Sequence, residues 1–304
     1  MKDKISHIIE HNWRLYLLMI PALLWLIIFA YYPIYGLILA FKDYKAQLGI
    51  TASPWAVPIM KHFIAFFRTS VANQVIVNTL ALSFLTIIVS FPLPIVFALL
   101  LNQMKSQKGK KAVQTISYAP YFVSNVVVVS ILSVICAPSG FVNTIIKFFN
   151  DGQPLFLMSQ AEYFRTLYIV SQVWQTLGFS AIVYIAALAG ISPEYHEAAK
   201  MDGATTMKRI LHVDIPLIIP TIIIMFILCI GNVMTIGYEK VYLMQAGTNT
   251  TVSEIISTYV YKAGLQNAQY SFATAVGLFN SVVNFIILLV ANKVSKKFAD
   301  VSLF

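Results

Sequence analysis

Charged residues are scarce in this chain. Only 11% of its 304 residues are Asp, Glu, Lys or Arg, whereas 59% are apolar. This balance excludes an ordinary soluble domain, because a chain of this length cannot bury so many apolar side chains inside itself. About 20 consecutive apolar residues cross the hydrocarbon core of a bilayer, which is about 30 Å thick. The sequence predicts six such spans, at 15–41, 77–101, 112–135, 166–190, 216–236 and 272–294.

Cysteine and histidine are also few, and their spacing matches no metal or redox motif. Cys136 and Cys229 stand far apart, and the five histidines all lie outside the predicted spans. We expect the cysteines to be buried apolar fillers. The sequence has no GxxxxGKS or GxxxxGKT phosphate loop, no HExxH and no GxSxG. We therefore expect a protein that is not an enzyme, with no metal and no cofactor of its own.

The basic residues are distributed as expected for a protein that spans a membrane. The net charge of +9 is not a nucleic-acid signal, because the basic residues flank the apolar segments and form no basic stripe. More than half of the 21 basic residues fall in the short connections on the side that holds both termini. By the positive-inside rule, both termini and the polar segment after the fourth span are expected in the cytoplasm.

One transmembrane domain at 15–304 is predicted, preceded by a cytoplasmic segment at 1–14. That segment carries isoleucines at helical spacing among charges, which suits either an amphipathic helix on the inner membrane surface or a frayed terminus. The first span is too long to be the apolar core of a signal peptide. Among the external connections, one helix is predicted at 252–264. The predicted fold class is therefore an all-α polytopic membrane protein.

The polar segment between the fourth and fifth spans has the signals of two short helices. Ser192 is placed to accept hydrogen bonds from the N–H groups of the first turn. Gly203 can take the left-handed conformation that ends the first helix. Thr205 or Thr206 can cap a second helix, which Pro216 is expected to end. A sharp polar corner is thus predicted between two apolar spans.

The order of residues in this segment resembles the EAA loop of permease subunits of bacterial ABC importers. That loop reads Glu-Ala-Ala, three residues, Gly, nine residues and Ile-x-Leu-Pro, and the matching residues here are 197–199, Gly203 and 213–216. Val and Ile replace the family's Ile and Leu, which are aliphatic exchanges. The resemblance implies the type I importer permease fold, with 192–216 as a coupling loop that docks on an ATP-binding subunit. The residues that it assigns to ATPase coupling are Glu197, Ala198, Ala199, Met201, Asp202, Gly203, Ile215 and Pro216.

Three further stretches are similar to carbohydrate-type importer permeases, especially to the subgroup that takes up oligosaccharides or polysaccharide fragments. They are 30–44, 237–244 and 273–281. The resemblance implies a heterodimer with a second homologous permease subunit, two ATP-binding subunits that bind ATP and Mg, and an extracellular solute-binding lipoprotein. It also implies a multi-pass protein of the bacterial cell membrane.

Polar side chains inside the spans indicate where a substrate path can run, because the bilayer makes such groups costly. For the asparagines, a hydrogen bond between helices is an equal alternative to a substrate contact. The face of a tryptophan suits the apolar surface of a sugar ring, but ordinary packing explains it as well. The substrate-path candidates are Asn125, Trp174, Gln175, Asn232, Asn280 and Asn284.

Together these features predict a subunit that forms half of a translocation path for a carbohydrate. Movement of the coupling loop is expected to carry energy from ATP in the partner to the spans on either side. The main alternative is the same machinery importing a peptide or an amino-acid derivative. A further alternative is a membrane scaffold whose loop only docks a partner.

Overall fold

The computed structural model describes the backbone of residues 2–299 and the side chains of residues 13–297. Within that part the chain is helical and forms no strand, which confirms the all-α class. Short 3₁₀ or π turns join or interrupt several helices. The α-helices, in chain order, are α1 (Lys2–Leu26), α2 (Tyr32–Ile34), α3 (Gly49–Ala52), α4 (Lys61–Arg68), α5 (Val71–Ser90), α6 (Pro92–Asn102), α7 (Gln107–Tyr118), α8 (Asn125–Ile135), α9 (Phe141–Phe149), α10 (Ala161–Ala189), α11 (Pro193–Met201), α12 (Thr206–Arg209), α13 (Ile215–Ile230), α14 (Tyr238–Met244), α15 (Thr250–Ser253), α16 (Ile256–Tyr261) and α17 (Tyr270–Ala299).

Several helical stretches are long and apolar enough to cross a membrane. Among the described residues there are five, at Trp13–Phe41, Val71–Asn102, Ala161–Ala189, Thr206–Ile230 and Tyr270–Lys297. A sixth consists of two parts, Gln107–Phe122 and Asn125–Ile135, which are bent by 99°. Counted as one span, this pair brings the total to the predicted six. The structure adds a break after Phe122 within the third span predicted at 112–135.

The bend in the third span follows from its backbone. A 3₁₀ turn with Pro120 near its start ends at Phe122, and Val123 and Ser124 are both extended. The Ser124 side chain then accepts a hydrogen bond from the Val127 N–H at 3.4 Å, so that α8 starts as a new helix. The break leaves the Val123 carbonyl outside any helical hydrogen-bond ladder. A side chain from another helix therefore has to satisfy it.

Pro216 does not end the second helix of the coupling loop, contrary to expectation. Instead the stretch Thr206–Ile230 is continuously helical, with a π turn at Ile210–Asp214. In that turn the Ile215 N–H bonds to the Ile210 carbonyl, one residue further back than in an α-helix. The wider turn accommodates a proline ring that would clash with the carbonyl four residues back in a regular α-helix. The corner of the loop therefore lies at Gly203 alone.

Two other helix boundaries differ from the sequence expectation. The fifth span ends at Ile230 rather than at 236, because α13 gives way to a series of turns at Gly231. The helix expected at 252–264 is split into α15 and α16 by extended residues between them. There the Thr258 hydroxyl accepts from the Ile255 N–H at 3.0 Å and starts α16. The segment 1–14 is helical from Lys2 as part of α1, and the side chains of its isoleucines lie outside the described residues.

The described chain divides into two compact units. One comprises Met1–Arg68 and Ala263–Leu278, and the other Thr69–Lys262 and Phe279–Phe304. The larger unit has one buried cluster of Leu82, Val129, Phe164, Tyr168, Val241, Met244 and Ile255. It has a second cluster of Ala98, Leu99, Ala181, Tyr184, Leu188 and Ile218. The long helix α10 contributes to both clusters and thus forms the axis of this unit. The single transmembrane domain at 15–304 stays a prediction.

Candidate functional site

The coupling loop has the local geometry that its sequence predicted. The Ser192 side chain accepts from the Glu194 N–H at 3.4 Å at the start of α11. Gly203 has a φ of +74°, in the left-handed region that favours glycine. The Thr205 side chain accepts from the Lys208 N–H at 3.4 Å and starts α12. Two short capped helices meeting at a glycine corner are therefore confirmed.

Most of the coupling candidates lie on the surface of the chain. Glu197, Ala198, Met201, Asp202, Gly203 and Pro216 are exposed, and Ala199 and Ile215 are partly buried. Met201 is 89% exposed, and the loop also exposes the apolar side chains of Tyr195, Met207 and Leu211. An apolar surface of this kind is available to a partner protein. The role of these residues in ATPase coupling stays a prediction.

The coupling loop also contains a buried carboxylate that the sequence pattern did not predict. Asp214 has no exposed surface, although it precedes the apolar helix α13 directly. Its Oδ2 accepts from Gln103 Nε2 at 3.2 Å, and its Oδ1 lies 3.3 Å from His196 Nε2. Gln103 follows the last residue of α6, and His196 lies on α11. The carboxylate thus joins the loop to the ends of two spans.

Two substrate-path candidates take part in two neighbouring sets of hydrogen bonds at the bend of the third span, which meet at the adjacent residues Glu239 and Lys240. Gln175 Nε2 donates to the Val123 carbonyl at 2.9 Å and so satisfies the backbone group that the break leaves open. Asn125 Nδ2 donates to Glu239 Oε2 at 2.6 Å. We call the two sets together the bend network; its members are Val123, Asn125, Gln172, Gln175, Glu239 and Lys240.

Lys240 is the cation of the bend network. Its side chain is 2% exposed. Its ammonium donates to the side-chain oxygens of Gln175 at 3.1 Å and Gln172 at 3.3 Å, and lies 5.8 Å from the Tyr168 ring centroid. Burial lowers the pKa of Lys240 to about 8. The amides and the aromatic face therefore offset only part of the cost of burying this charge.

Asn280 and Asn284 bind the unwound backbone that follows α13. Asn280 Nδ2 donates to the Met234 carbonyl at 2.9 Å. Asn284 accepts from the Met234 N–H at 3.1 Å and donates to the Gly231 carbonyl. Both side chains thus satisfy backbone groups left open where the helix ends. This geometry matches the alternative of a hydrogen bond between helices, and a sugar contact by either residue stays a prediction.

Asn232 lines a cavity of about 340 Å³ in the larger unit, which we call the polar cavity after the six polar residues that interrupt its mainly apolar lining. Asn232 lies in the turns after α13, and its side-chain amide donates to the Leu228 carbonyl near the end of that helix at 2.9 Å. The cavity lies between α5, α6, α10 and α13, and Trp174 is not part of its lining. Trp174 is 49% exposed on α10. The polar residues that line the cavity are Thr86, Ser90, Thr176, Ser180, Tyr184 and Asn232.

The described residues contain no cluster of three or more His, Cys, Asp or Glu side chains able to hold a metal ion. Cys136 is buried and Cys229 partly buried, and both are free.

Comparisons with known proteins agree with this architecture. Residues 90–299 match the family model described as binding-protein-dependent transport system inner membrane component. The chain is 41% identical to the polygalacturonan/rhamnogalacturonan transport system permease protein YteP of Bacillus subtilis (strain 168), over 94% of this chain and 88% of the relative. It is 40% identical to the protein LplB of the same organism, over 95% and 91% of the two chains.

The fold has a close counterpart among solved structures. A chain in the crystal structure of a bacterial ABC transporter involved in the import of the acidic polysaccharide alginate is 37% identical and superposes with a TM-score of 0.89. The match covers 97% of this chain and 99% of that chain. The predicted type I importer permease fold is therefore confirmed. On the evidence of the coupling loop, the spans and these similarities, the chain belongs to the binding-protein-dependent transport system inner membrane components, a family of multi-pass membrane transport proteins.

Proposed function

We propose that this chain is a permease subunit of an ATP-driven importer and forms half of the translocation path for an oligosaccharide or polysaccharide fragment. A second homologous permease forms the other half, and two ATP-binding subunits bind and hydrolyse ATP with Mg. An extracellular solute-binding lipoprotein delivers the sugar. The chain resides in the bacterial cell membrane with both termini in the cytoplasm, and it catalyses no change of bonds.

The polar cavity beside Asn232 carries the proposal. Thr86 and Thr176 lie near the midpoints of the second and fourth spans, where polar groups are costly unless they serve a cavity or a neighbouring helix. The cavity lining offers hydroxyl and amide groups and no charged side chain. Such groups suit the hydroxyls of a sugar. Each neutral hydrogen bond contributes about 0.5–1.5 kcal/mol, which allows a bound sugar to leave again.

The names of the similar proteins support a carbohydrate and a binding protein. YteP is named as a polygalacturonan/rhamnogalacturonan permease. A second alginate transporter structure, 36% identical with a TM-score of 0.87, holds an alginate pentasaccharide-bound periplasmic protein in complex. These proteins favour an oligosaccharide over a peptide as the solute of this chain.

The connection of the coupling loop to the spans supports an energy-coupling role. Only Gly190 and Ile191, in a turn, separate α10 from the loop, which continues through a π turn into α13. Both helices line the polar cavity. A rigid-body movement of the loop, driven by ATP binding in the partner, therefore reaches two walls of the cavity without passing through a flexible linker.

Uptake into vesicles tests this function. The assembled transporter, with its second permease, ATP-binding subunits and solute-binding protein, is reconstituted and given fluorescent trigalacturonate as the probe. We expect ATP-dependent uptake that unlabelled oligosaccharides reduce and peptides of similar size do not. Competition by peptides alone would favour the peptide-importer alternative. Docking and ATP hydrolysis without uptake of any solute tested would favour the scaffold alternative.

A further inference from the structure

We propose that Asp214 is the positioning residue that carries movement of the coupling loop to the second span as well as to the fifth. The inference rests on the proposed function, because it needs an ATP-binding subunit that moves α11. It adds a connection that chain order does not supply, since the second span is far from the loop in sequence.

The contacts of Asp214 join three elements in series. His196 on α11 lies 3.3 Å from one carboxylate oxygen, and Gln103 at the end of α6 donates to the other at 3.2 Å. Asp214 itself closes the π turn that leads into α13. One side chain therefore links the coupling helix to the ends of the second and fifth spans.

Burial gives these contacts their strength. Asp214 has no exposed surface, and a carboxylate that loses its partners inside a protein is strongly destabilised. No residue of α11 is buried. Among the described residues, the 3.3 Å approach of His196 Nε2 to Asp214 Oδ1 is the only polar side-chain contact that joins α11 to a membrane span. The carboxylate is thus the main polar attachment of the coupling helix to the spans behind it.

Movement of the second span would change the shape of the polar cavity. Ser90, Phe91 and Pro94, at the junction of α5 and α6, line the polar cavity. The α13 residues Met225 and Cys229 line it from another side. Because Asp214 attaches to both α6 and α13, a displacement of α11 moves both of these walls together.

The test uses the full transporter reconstituted with trigalacturonate as the probe. The variants are Asp214→Ala, His196→Ala, Gln103→Ala and the double variant of His196 and Gln103. Asp214→Asn keeps an amide oxygen that can accept from Gln103. His212→Ala is the matched control, because this histidine lies exposed on the same loop and its Nδ1 lies 3.0 Å from the Lys208 carbonyl, one turn earlier in the same helical stretch.

The first readout is stimulation of ATP hydrolysis by the loaded solute-binding protein. We expect Asp214→Ala to keep the basal rate and to lose stimulation by about fivefold or more, a typical allosteric coupling. Asp214→Asn should retain part of the stimulation, and His212→Ala all of it. Because His196 lies before Gln103 in the series, the double variant should lose no more than His196→Ala alone. Additive losses, or normal stimulation in Asp214→Ala, overturn the inference.

The second readout is the distance between spin labels at Glu194 on α11 and Lys105 just beyond α6, in a background without the two native cysteines. Both labelled residues are exposed. We expect the same distance with and without ATP in the parent protein, because α11 and α6 move as one body. It should change with ATP in His196→Ala, which remains measurable if Asp214→Ala fails to assemble. An unchanged distance in His196→Ala contradicts the inference, whereas a parent protein that binds no ATP-binding subunit contradicts the proposed function instead.

Discussion

The coupling loop and the bend network are both interruptions of helical structure, but they are stabilised in different ways. In the loop, the helix is interrupted by side-chain caps and a glycine corner, which involve only residues close in the sequence. Most of the segment is exposed. In the bend network, Gln175 on α10 donates to the open Val123 carbonyl of another span. Lys240 is buried against α10 and donates to Gln175. An exposed break is available to a partner, whereas an internal break is first satisfied by side chains of its own chain.

This difference bears on how polar residues in spans are interpreted. Asn280 and Asn284 were substrate candidates because the bilayer makes them costly. In the structure their amides bind the backbone at Gly231 and Met234. The polar groups that line the polar cavity are instead mainly hydroxyls such as those of Thr86 and Thr176. We therefore expect the asparagines of α17 to control assembly and the hydroxyl-lined cavity to control sugar preference.

The largest expected effect is at the loop corner. Gly203→Val places a β-branched residue at a φ of +74°, where L residues are strained by about 1–2 kcal/mol. The corner should distort and uptake should fall by about tenfold or more, while the protein still reaches the membrane. Gly203→Asn is the matched control, because asparagine tolerates this conformation and no atom lies within 4 Å of an added Cβ. Equal uptake by the two variants would remove the corner from the coupling mechanism.

The next effect is on assembly. Asn284→Leu leaves the Gly231 carbonyl and the Met234 N–H without their side-chain partner, at about 1–3 kcal/mol for each group that stays buried. Asn280→Leu should cost less, because only its amide nitrogen has a partner. Thermal unfolding of the purified complex should rank the two variants in this order, with Asn232→Leu close to the parent protein. A selective change in sugar preference by Asn284→Leu without loss of stability would restore its role as a substrate contact.

A smaller effect is expected from the buried cation. Lys240 has a pKa of about 8 in the folded protein against an ordinary value of 10.5. Between these values the unfolded chain binds more protons than the folded one, so stability contributed by this group rises with pH. Lys240→Met should remove that rise, measured as the difference in thermal midpoint between pH 8 and pH 10.5. The same pH dependence in both proteins would show that another group titrates.

The smallest effect on stability is expected at Glu239, the residue next to Lys240. Glu239 is exposed, and its side chain accepts from Asn125. Glu239→Gln keeps an acceptor oxygen there, so the free energy of unfolding should change by less than about 1 kcal/mol. Denaturation of this variant beside Lys240→Met compares an exposed and a buried member of the same network. A larger loss at Glu239 would reverse the order that burial predicts.

The parts predicted from sequence are those with short-range causes. The Ser192 cap, the Thr205 cap and the Gly203 corner each depend on residues within a few positions. The length of most spans follows from composition alone. The π turn before Pro216 was not predicted, because the adjustment of a helix to a proline depends on its surroundings.

The parts not predicted depend on residues far apart in the chain. Asp214 accepts a hydrogen bond from Gln103, and Lys240 donates to Gln172 and Gln175, so the role of each depends on distant partners. A charged residue next to a span gave the only sequence signal for either one. For Asp214 that signal was an acidic residue between two aliphatic ones at the start of an apolar helix.

The most direct test of the account is photo-crosslinking from Met201 in intact cells that express the whole transporter. A photoreactive residue there replaces the 89%-exposed side chain beside the loop corner. We predict a covalent product with the ATP-binding subunit, and none from the exposed Gln153, which is expected outside the cell. A product between Met201 and the extracellular solute-binding protein, or no product with the ATP-binding subunit while uptake is intact, would contradict the assignment of 192–216 as the coupling loop.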